Sequence, residues 1–585
     1  MRRRSVLKYL GMSGVALAAG SVRGEGDGVA LQPFAAFNQV GYLPKAAKIA
    51  TVPGEAGGEF QILAETSGHA VLHGSLSGVM SDEASGDRVV LADFSKLVVP
   101  GMYRLAARGK HSERFVVSKD VYREPLRLVM RSYYGQRCGC AVDMGNGYKH
   151  AACHLAGAYH PSSGKSGLGK SGLGTSGALK NAGGWHDAGD YGRYVVNSGI
   201  STGTLLWAWE MFPRALHDLK LDIPESGGKT PDFLAEVRWN LEWMLSMQDE
   251  DGGVWHKQTS EQFCGFVMPE EDALTSYVIG TGDAPYKSTC ATADLAAVAA
   301  IAARCYAPFD AAFAATCLAA AKRAWTWAVA HPDVSFKNPK GVATGEYGDK
   351  DCRDELLWAS AELWRTTGDA EYEKAFLAGA KILPPDKELW VPSWPGVASL
   401  AYWTYLLAKR ETSGELKKLI LERTRTAAET LVARQKLSGY GNTLGEKDFN
   451  WGSNSVAANQ SLLLLMAHAF HGEAAWREAA LGNLHYLLGR NCFGVSWVTH
   501  VGTNPYQHPH HRPSGADTIA APWPGLLSGG PNAHPADDVA RTLPKMPPMR
   551  MWIDDQGAYS MNEVAINWNA PLVFLLAAAQ AGLRV

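Results

Sequence analysis

The sequence predicts a two-part molecule: a small all-β sandwich followed by a much larger all-α unit. Three observations carry this prediction. Short apolar runs punctuated by Gly and Ser fill residues 30–118. From residue 122 onward the apolar runs become long, Ala/Leu-rich and helical in period. The chain's 585 residues, 46% of them hydrophobic, exceed one small domain and supply a large core.

Residues 1–24 read as a targeting segment. Arg2-Arg3-Arg4-Ser5-Val6-Leu7-Lys8 is basic, an apolar Gly/Ala-rich run follows to Gly20, and Ala16-Leu17-Ala18 offers a small-x-small cleavage site. The paired arginines point to twin-arginine export, with an ordinary secretory signal as the rival. No lipobox cysteine follows, so a periplasmic or secreted protein without a lipid anchor is expected. Nine cysteines are an odd count for an exported chain. Twin-arginine substrates travel folded, so thiols can take up metal before export. Thiolate ligands and small buried thiols therefore fit better than a disulfide framework. A net charge of −2 gives no electrostatic case for nucleic acid. No internal apolar run approaches the ~20 residues of a membrane span.

In the β region, Glu59–Leu63 and Arg88–Leu91 are short apolar runs, and Met102–Leu105 and Arg114–Val117 flank a turn at Gly109-Lys110. This spacing suits a sandwich. The region holds no catalytic constellation, so a structural brace is expected, the rival being an independent sugar-binding module. The helical segments are Ala291–Cys305, Ala311–His331, Asp354–Thr367, Ala398–Lys409, Leu416–Gln435, Ser455–His471 and Pro571–Gly582. Long loops between many helices suit an α/α toroid with its site built from loops at one end. Ser162–Gly177 is low-complexity and reads as a solvated insertion, the rival being a substrate lid.

The densest chemistry lies at Gly183-Gly184-Trp185-His186-Asp187-Ala188-Gly189-Asp190-Tyr191-Gly192-Arg193-Tyr194. At a helical first turn, Asp187 and Asp190 would share a side and aim at one point. Two carboxylates with one target can hold a water and take its proton. Trp185, Tyr191 and Tyr194 suit a sugar-stacking wall. Near the C-terminus, Glu563 opens a strongly apolar helix in Asn562-Glu563-Val564-Ala565-Ile566. Desolvation there would favour its protonated form, as a general acid requires. Loop tryptophans Trp185, Trp255, Trp390, Trp394 and Trp451 offer apolar faces for pyranose rings, and Trp255 sits in a polar, Gly-containing loop that favours exposure. Cys138-Gly139-Cys140 with His150, Cys153 and His154 suits tetrahedral zinc. As a lone cluster, His500, His508, His510 and His511 would also suggest metal.

The pattern GGW-x-DAGDYG-x-Y, with Tyr559-x-x-Asn-Glu563-Val-Ala-Ile and Ser496-Trp497-Val498-Thr499 through Pro509-His510-His511-Arg512, resembles glycoside hydrolase family 9, the endoglucanase and cellodextrinase family. The three motifs occur in family order across nearly the whole mature chain. The resemblance implies an (α/α)6 barrel over residues 122–585 and an inverting hydrolase of β-1,4-glucan or its oligosaccharides. Asp190 would be the general base, Asp187 would help hold the water and Glu563 would be the general acid. Tyr559 falls in place beside the acid, and His510 and Arg512 line the site. Phe37–Pro44 resembles the opening of the immunoglobulin-like domain that precedes some family 9 catalytic domains, giving that domain residues 30–118. Cys138, Cys153 and His154 match the zinc ligands of such enzymes, with His150 or Cys140 as the fourth. Four protein ligands would make the site structural, and no organic cofactor is implied. Thr344–Glu355 resembles the family's calcium loop, Asp354 and Glu355 matching best, with Asp349 and Asp351 beside them. Where the family carries an arginine and an acid before the catalytic acid, this chain reads Asp555-Gln556-Gly557-Ala558, which leaves the sugar preference open. The rivals are an exo-acting enzyme on cello- or glucosamine oligosaccharides, a carbohydrate-binding protein without catalysis, and a zinc-dependent hydrolase.

Overall fold

The structure, a computed structural model, describes residues 34–582 except 55–56, 166–176, 179–181 and 386–390. The targeting segment, most of the Ser162–Gly177 insertion and Trp390 lie outside the described residues.

Nine strands form the N-terminal unit: β1 (Gly41–Tyr42), β2 (Ile49–Pro53), β3 (Glu59–Ala64), β4 (Ala70–Ser75), β5 (Met80–Asp82), β6 (Asp87–Asp93), β7 (Gly101–Ala107), β8 (Lys110–His111) and β9 (Phe115–Val117). One sheet runs β1-β9-β7-β3-β4 with β8 on β7, and the other runs β2-β6-β5. Alternate residues of β7, Tyr103, Leu105 and Ala107, turn inward, as a half-buried strand demands. They meet Tyr42, Ile62, Val90 and Phe115 in a core between the sheets. Arg108 and Gly109 both have positive φ in the β7–β8 turn, the geometry that matches hairpin twist.

This unit is bonded to the helical one through buried polar contacts. Asn38 Nδ2 lies 2.9 Å from His485 Nδ1, Thr51 Oγ1 donates to Gly439 O at 2.6 Å, and Arg550 and Tyr440 both reach the Asp87 carboxylate. Such specific contacts fit a brace, and the functional motifs all fall in the helical unit.

Among the described residues, twelve helices have ten or more residues: α1 (Arg123–Gly135), α2 (Val195–Met211), α3 (Asp232–Ser246), α4 (Thr289–Tyr306), α5 (Ala311–Ala330), α6 (Arg353–Thr367), α7 (Ala370–Ile382), α8 (Ala398–Leu407), α9 (Gly414–Leu437), α10 (Ser453–His471), α11 (Ala474–Leu487) and α12 (Ile566–Gln580). They alternate in burial. The Ala-rich α4 is buried almost all round, whereas α9 shows solvent most of its length. In sequence order the buried helices pack α2 on α4, α4 on α6 and α6 on α8, while α12 touches both α2 and α10. That is a toroid of inner and outer helices, an (α/α) barrel architecture. Local signals fix its ends. The Asp310 side chain caps α5 by accepting from Phe313 N at 3.0 Å, and left-handed Gly368 and Gly472 end α6 and α10.

Two expectations change. The last helix begins at Ile566 and carries Pro571 inside it. An interior proline is costly, but this helix is buried on nearly every side, and packing decides. Glu563 therefore lies before the helix, extended at φ −60°, ψ 156°, and does not head it. Asp187 and Asp190 likewise sit in a turn ahead of β-paired Arg193-Tyr194, not in the first turn of α2.

Candidate active site

Backbone hydrogen bonds join three distant loops at one end of the toroid. Arg512 N donates to Gly189 O at 3.1 Å, His510 N to Asn562 O at 2.8 Å, and Ile566 N to Asp187 O at 2.8 Å. The approach is tight enough to require glycine, because a Cβ on Gly189 would lie 1.9 Å from His510 O. Asp187 and Asp190 are thus brought to His510 and Glu563, more than 300 residues further along the chain.

The two aspartates are held differently. Asp187 is buried and accepts from Asn197 Nδ2 at 2.5 Å and from the Tyr347 hydroxyl at 2.7 Å. Burial and the Asp190 charge push it up to about 8, against these two donors. Asp190 Oδ2 accepts from Gly192 N at 3.0 Å and faces the Tyr194 hydroxyl at 3.4 Å. Glu563 is half-buried, with Trp451 Nε1 donating to its Oε2 at 3.2 Å. Burial first, then the charges of Asp190 and Asp187, raise its carboxyl to about 8, against Trp451 and Arg512. The arrangement is two carboxyls, Glu563 and Asp187, held protonated near neutral pH on either side of Asp190. Burial lowers His510 below its ordinary value, so its ring is neutral near pH 7.

The aromatic expectations divide. Trp451 (43% exposed) and Tyr559 (36%) stay accessible with ring centroids 5.6 Å apart, and Tyr559 also packs near His510. Trp394 stands edge-on to Tyr347. Trp185 and Trp255 are no platforms: they are 0% and 2% exposed. Trp185 packs on Tyr133 and donates to Glu236 Oε1 at 2.9 Å. Trp255 donates to Ser163 O at 3.0 Å. A polar loop sequence does not reveal an indole folded inward beneath it. Tyr191 and Tyr194 are buried and offer no exposed stacking wall. Arg512 is buried too, its guanidinium donating to Cys264 O and Gly189 O, so it ties loops together.

A metal-competent cluster lies directly behind this loop. Cys138, Cys153, His154 and His186 bring ligand atoms within 4.8 Å of one another. Residues 136–138 pair with 184–186 through Cys138 N to Gly184 O at 2.8 Å and His186 N to Gln136 O at 2.7 Å, which sets Cys138 beside His186. Buried His154 Nδ1 has no protein partner, while its Nε2 faces Asp272 at 3.3 Å. A ligand nitrogen free on one side and steadied by a carboxylate on the other fits a metal site. Burial opposes the Cys138 thiolate, but the neighbouring Cys153 thiol and the charges of Arg193 and His186 hold its pKa well below a free thiol's. The fourth member is His186, not His150 or Cys140. His150 turns away to stack on Trp523, and Cys140 faces Arg137, its thiol pushed up to about 11 by burial. His500, His508, His510 and His511 do not converge; each binds a separate partner.

A second cluster gathers Asp349, Asp354 and Glu355 with Asp294, which the sequence reading passed over. Both Glu355 oxygens, Asp294 Oδ2 and Asp349 Oδ2 are buried without a hydrogen-bond partner. Burial and the neighbouring carboxylates raise Asp294 and Glu355 well above the usual range, and Asp354 to about 6. Asp351 does not join; it pairs outward with Arg353. Beside the cluster a disulfide links Cys290 and Cys352, so the expectation of unbridged thiols holds for seven cysteines and fails for these two.

A raised-pKa acid opposite a carboxylate pair in a helical toroid is the equipment of a glycoside hydrolase. The glycosyl hydrolase family 9 pattern matches residues 122–576 and the cellulase N-terminal ig-like domain matches residues 32–112, and the chain belongs to glycosyl hydrolase family 9. It is similar to "Endoglucanase D" of Acetivibrio thermocellus, 36% identical over 92% of this chain and 82% of that one. It is also similar to "Cellodextrinase" of Butyrivibrio fibrisolvens, 34% identical over 92% of this chain and 98% of that one. Among solved structures, a metagenome-derived family 9 endoglucanase superposes with a TM-score of 0.85 at 37% identity, covering 94% of this chain and 99% of the other.

Proposed function

We propose that this enzyme is an inverting endo-β-1,4-glucanase acting on cellulose and cello-oligosaccharides. Asp190 takes the proton of the attacking water, Asp187 helps hold that water, and Glu563 protonates the departing glycosidic oxygen. The observation that carries this reading is the Glu563 carboxyl, raised to about 8 and set against the Asp187–Asp190 loop by backbone bonds. Trp451 and Tyr559 flank the acid with exposed aromatic faces suited to a sugar ring. The names of the similar endoglucanase and cellodextrinase support β-1,4-glucan as substrate. Single displacement by water inverts the anomeric centre. Proton NMR of the first turnover on cellopentaose should therefore show the α-anomer, and product profiles should show internal cleavage. First release of the β-anomer, or of one product from chain ends only, overturns the reading.

Both clusters are read as structural metal sites. Cys138, Cys153, His154 and His186 hold zinc, whose four protein ligands leave no position for substrate. Asp294, Asp349, Asp354 and Glu355 suit calcium, a hard cation that would satisfy their unpartnered oxygens. Metal-stripped protein should bind the two ions independently, each raising Tm. Cys153→Ser should abolish the zinc increment and lower Tm more than it lowers the activity of the surviving folded enzyme. Glu355→Gln should abolish only the calcium increment. Metal-stripped protein that gains no Tm from either ion would contradict the assignment.

A further inference from the structure

Lys257 lies on the strand Lys257–Thr259, behind the carboxylate loop, and is fully buried. Its ammonium reaches Asn338 Oδ1 at 2.7 Å, Gly345 O at 2.7 Å, Thr344 Oγ1 at 3.1 Å and Thr344 O at 3.4 Å. No carboxylate is among these partners. A buried ammonium without a paired carboxylate is costly, and burial brings Lys257 down to about 7 against the charges of Asp190 and Glu346. A methionine would fill the same space without that penalty, so what matters is the segment the ammonium grips. That segment leads straight into Tyr347, whose hydroxyl donates to Asp187 Oδ2 at 2.7 Å. Tyr347 has φ 45°, a left-handed conformation that a bulky residue keeps only when its surroundings impose it. His256 Nε2, 2.9 Å from Glu346 O, holds the same strap from the next position.

We propose that Lys257 is a positioning residue, clamping the 338–345 segment so that the Tyr347 hydroxyl stays on Asp187. The proposal rests on the reading of Asp187 and Asp190 as the water-holding pair. Lys257 touches neither water nor sugar; it acts through Tyr347.

The test is a double-mutant cycle on the full-length, metal-loaded enzyme. Small misplacements of a catalytic constellation cost up to about 10²-fold in rate. Lys257→Met should therefore lower kcat by about 10- to 100-fold on cellotetraose and on an activated aryl cellobioside alike, with KM within about twofold. Lys257→Arg should recover part of that loss. In a Tyr347→Phe background, Lys257→Met should cost less than about threefold more, because the bond it protects is already gone. Should Lys257→Met not fold by circular dichroism, Asn338→Ala removes one clamp partner and should give the same loss confined to kcat, again non-additive with Tyr347→Phe. Full additivity in either cycle, or a kcat unchanged by the folded clamp variants while Tyr347→Phe is slow, overturns the clamp. An unaffected Tyr347→Phe would instead place the error in the reading of Asp187.

Discussion

Glu563→Gln is expected to lower kcat on cello-oligosaccharides by about 10²–10⁴-fold, the usual worth of a general acid, and to spare most activity on dinitrophenyl cellobioside. A sugar alkoxide leaves poorly without a proton, whereas dinitrophenolate leaves unaided. Glutamine keeps the shape of Glu563 and can still accept from Trp451 Nε1, so the change isolates the proton. Burial together with Asp190 and Asp187 lifts the acid from 4.5 to about 8. The working form of Glu563 is the protonated one, so wild-type activity on cello-oligosaccharides should fall as pH rises through about 8, while the need for an ionised Asp190 sets a separate limb on the acid side. On the activated substrate, which needs no such proton, the Glu563 limb should be absent from wild type and variant alike. Parallel pH–rate profiles on the two substrates decide the matter. Equal losses on both substrates would remove Glu563 from the acid role.

How far the sequence revealed the site depends on how local each feature is. The helices from Ala311 to Ala330 and Ser453 to His471 were legible because their apolar period is local, whereas the carboxylate pair and Glu563 were singled out by their motifs, the helical turn and helix head first read for them not being formed. The fourth metal-site residue was not. His150 and Cys140 were attractive by proximity to Cys138, yet His186 completes the cluster because residues 136–138 pair with 184–186. That pairing is long-range and leaves no periodic trace. The only local hint is the position of His186 inside the carboxylate motif itself. Tyr347 and Asp294 were missed for a related reason. Tyr347 was read as part of an acidic loop, and its hydroxyl acts on a different loop altogether. Asp294 lies in the Ala-rich helix α4, where a lone acid between alanines reads as solvated until the packing buries it. Trp185 and Trp255 show the opposite error. Aromatic residues in glycine-rich loops serve equally as loop anchors, and only burial separates anchor from platform.

Asp190→Asn is expected to be the more general defect, lowering kcat by about 10²–10⁴-fold on cello-oligosaccharides and on dinitrophenyl cellobioside together. Water must be deprotonated whichever group departs, so a better leaving group offers no relief. The structure favours Asp190 over Asp187 for this step. Asp187 already accepts from Asn197 and Tyr347, one on each oxygen. Asp190 uses Oδ2 for Gly192 N and the Tyr194 hydroxyl, and among the described residues no protein donor reaches Oδ1, the oxygen it can offer to water. Asparagine preserves the volume and can keep its carbonyl toward Gly192 N, so the loop that also carries His186 should hold and Tm should move little. Added azide would attack from the face the water uses, and any glycosyl azide formed should have the inverted configuration. The measurements are initial rates on both substrates, Tm, and the anomer of each product by NMR. Near-normal rates on either substrate, or a β-configured azide product, would take the base role away from Asp190.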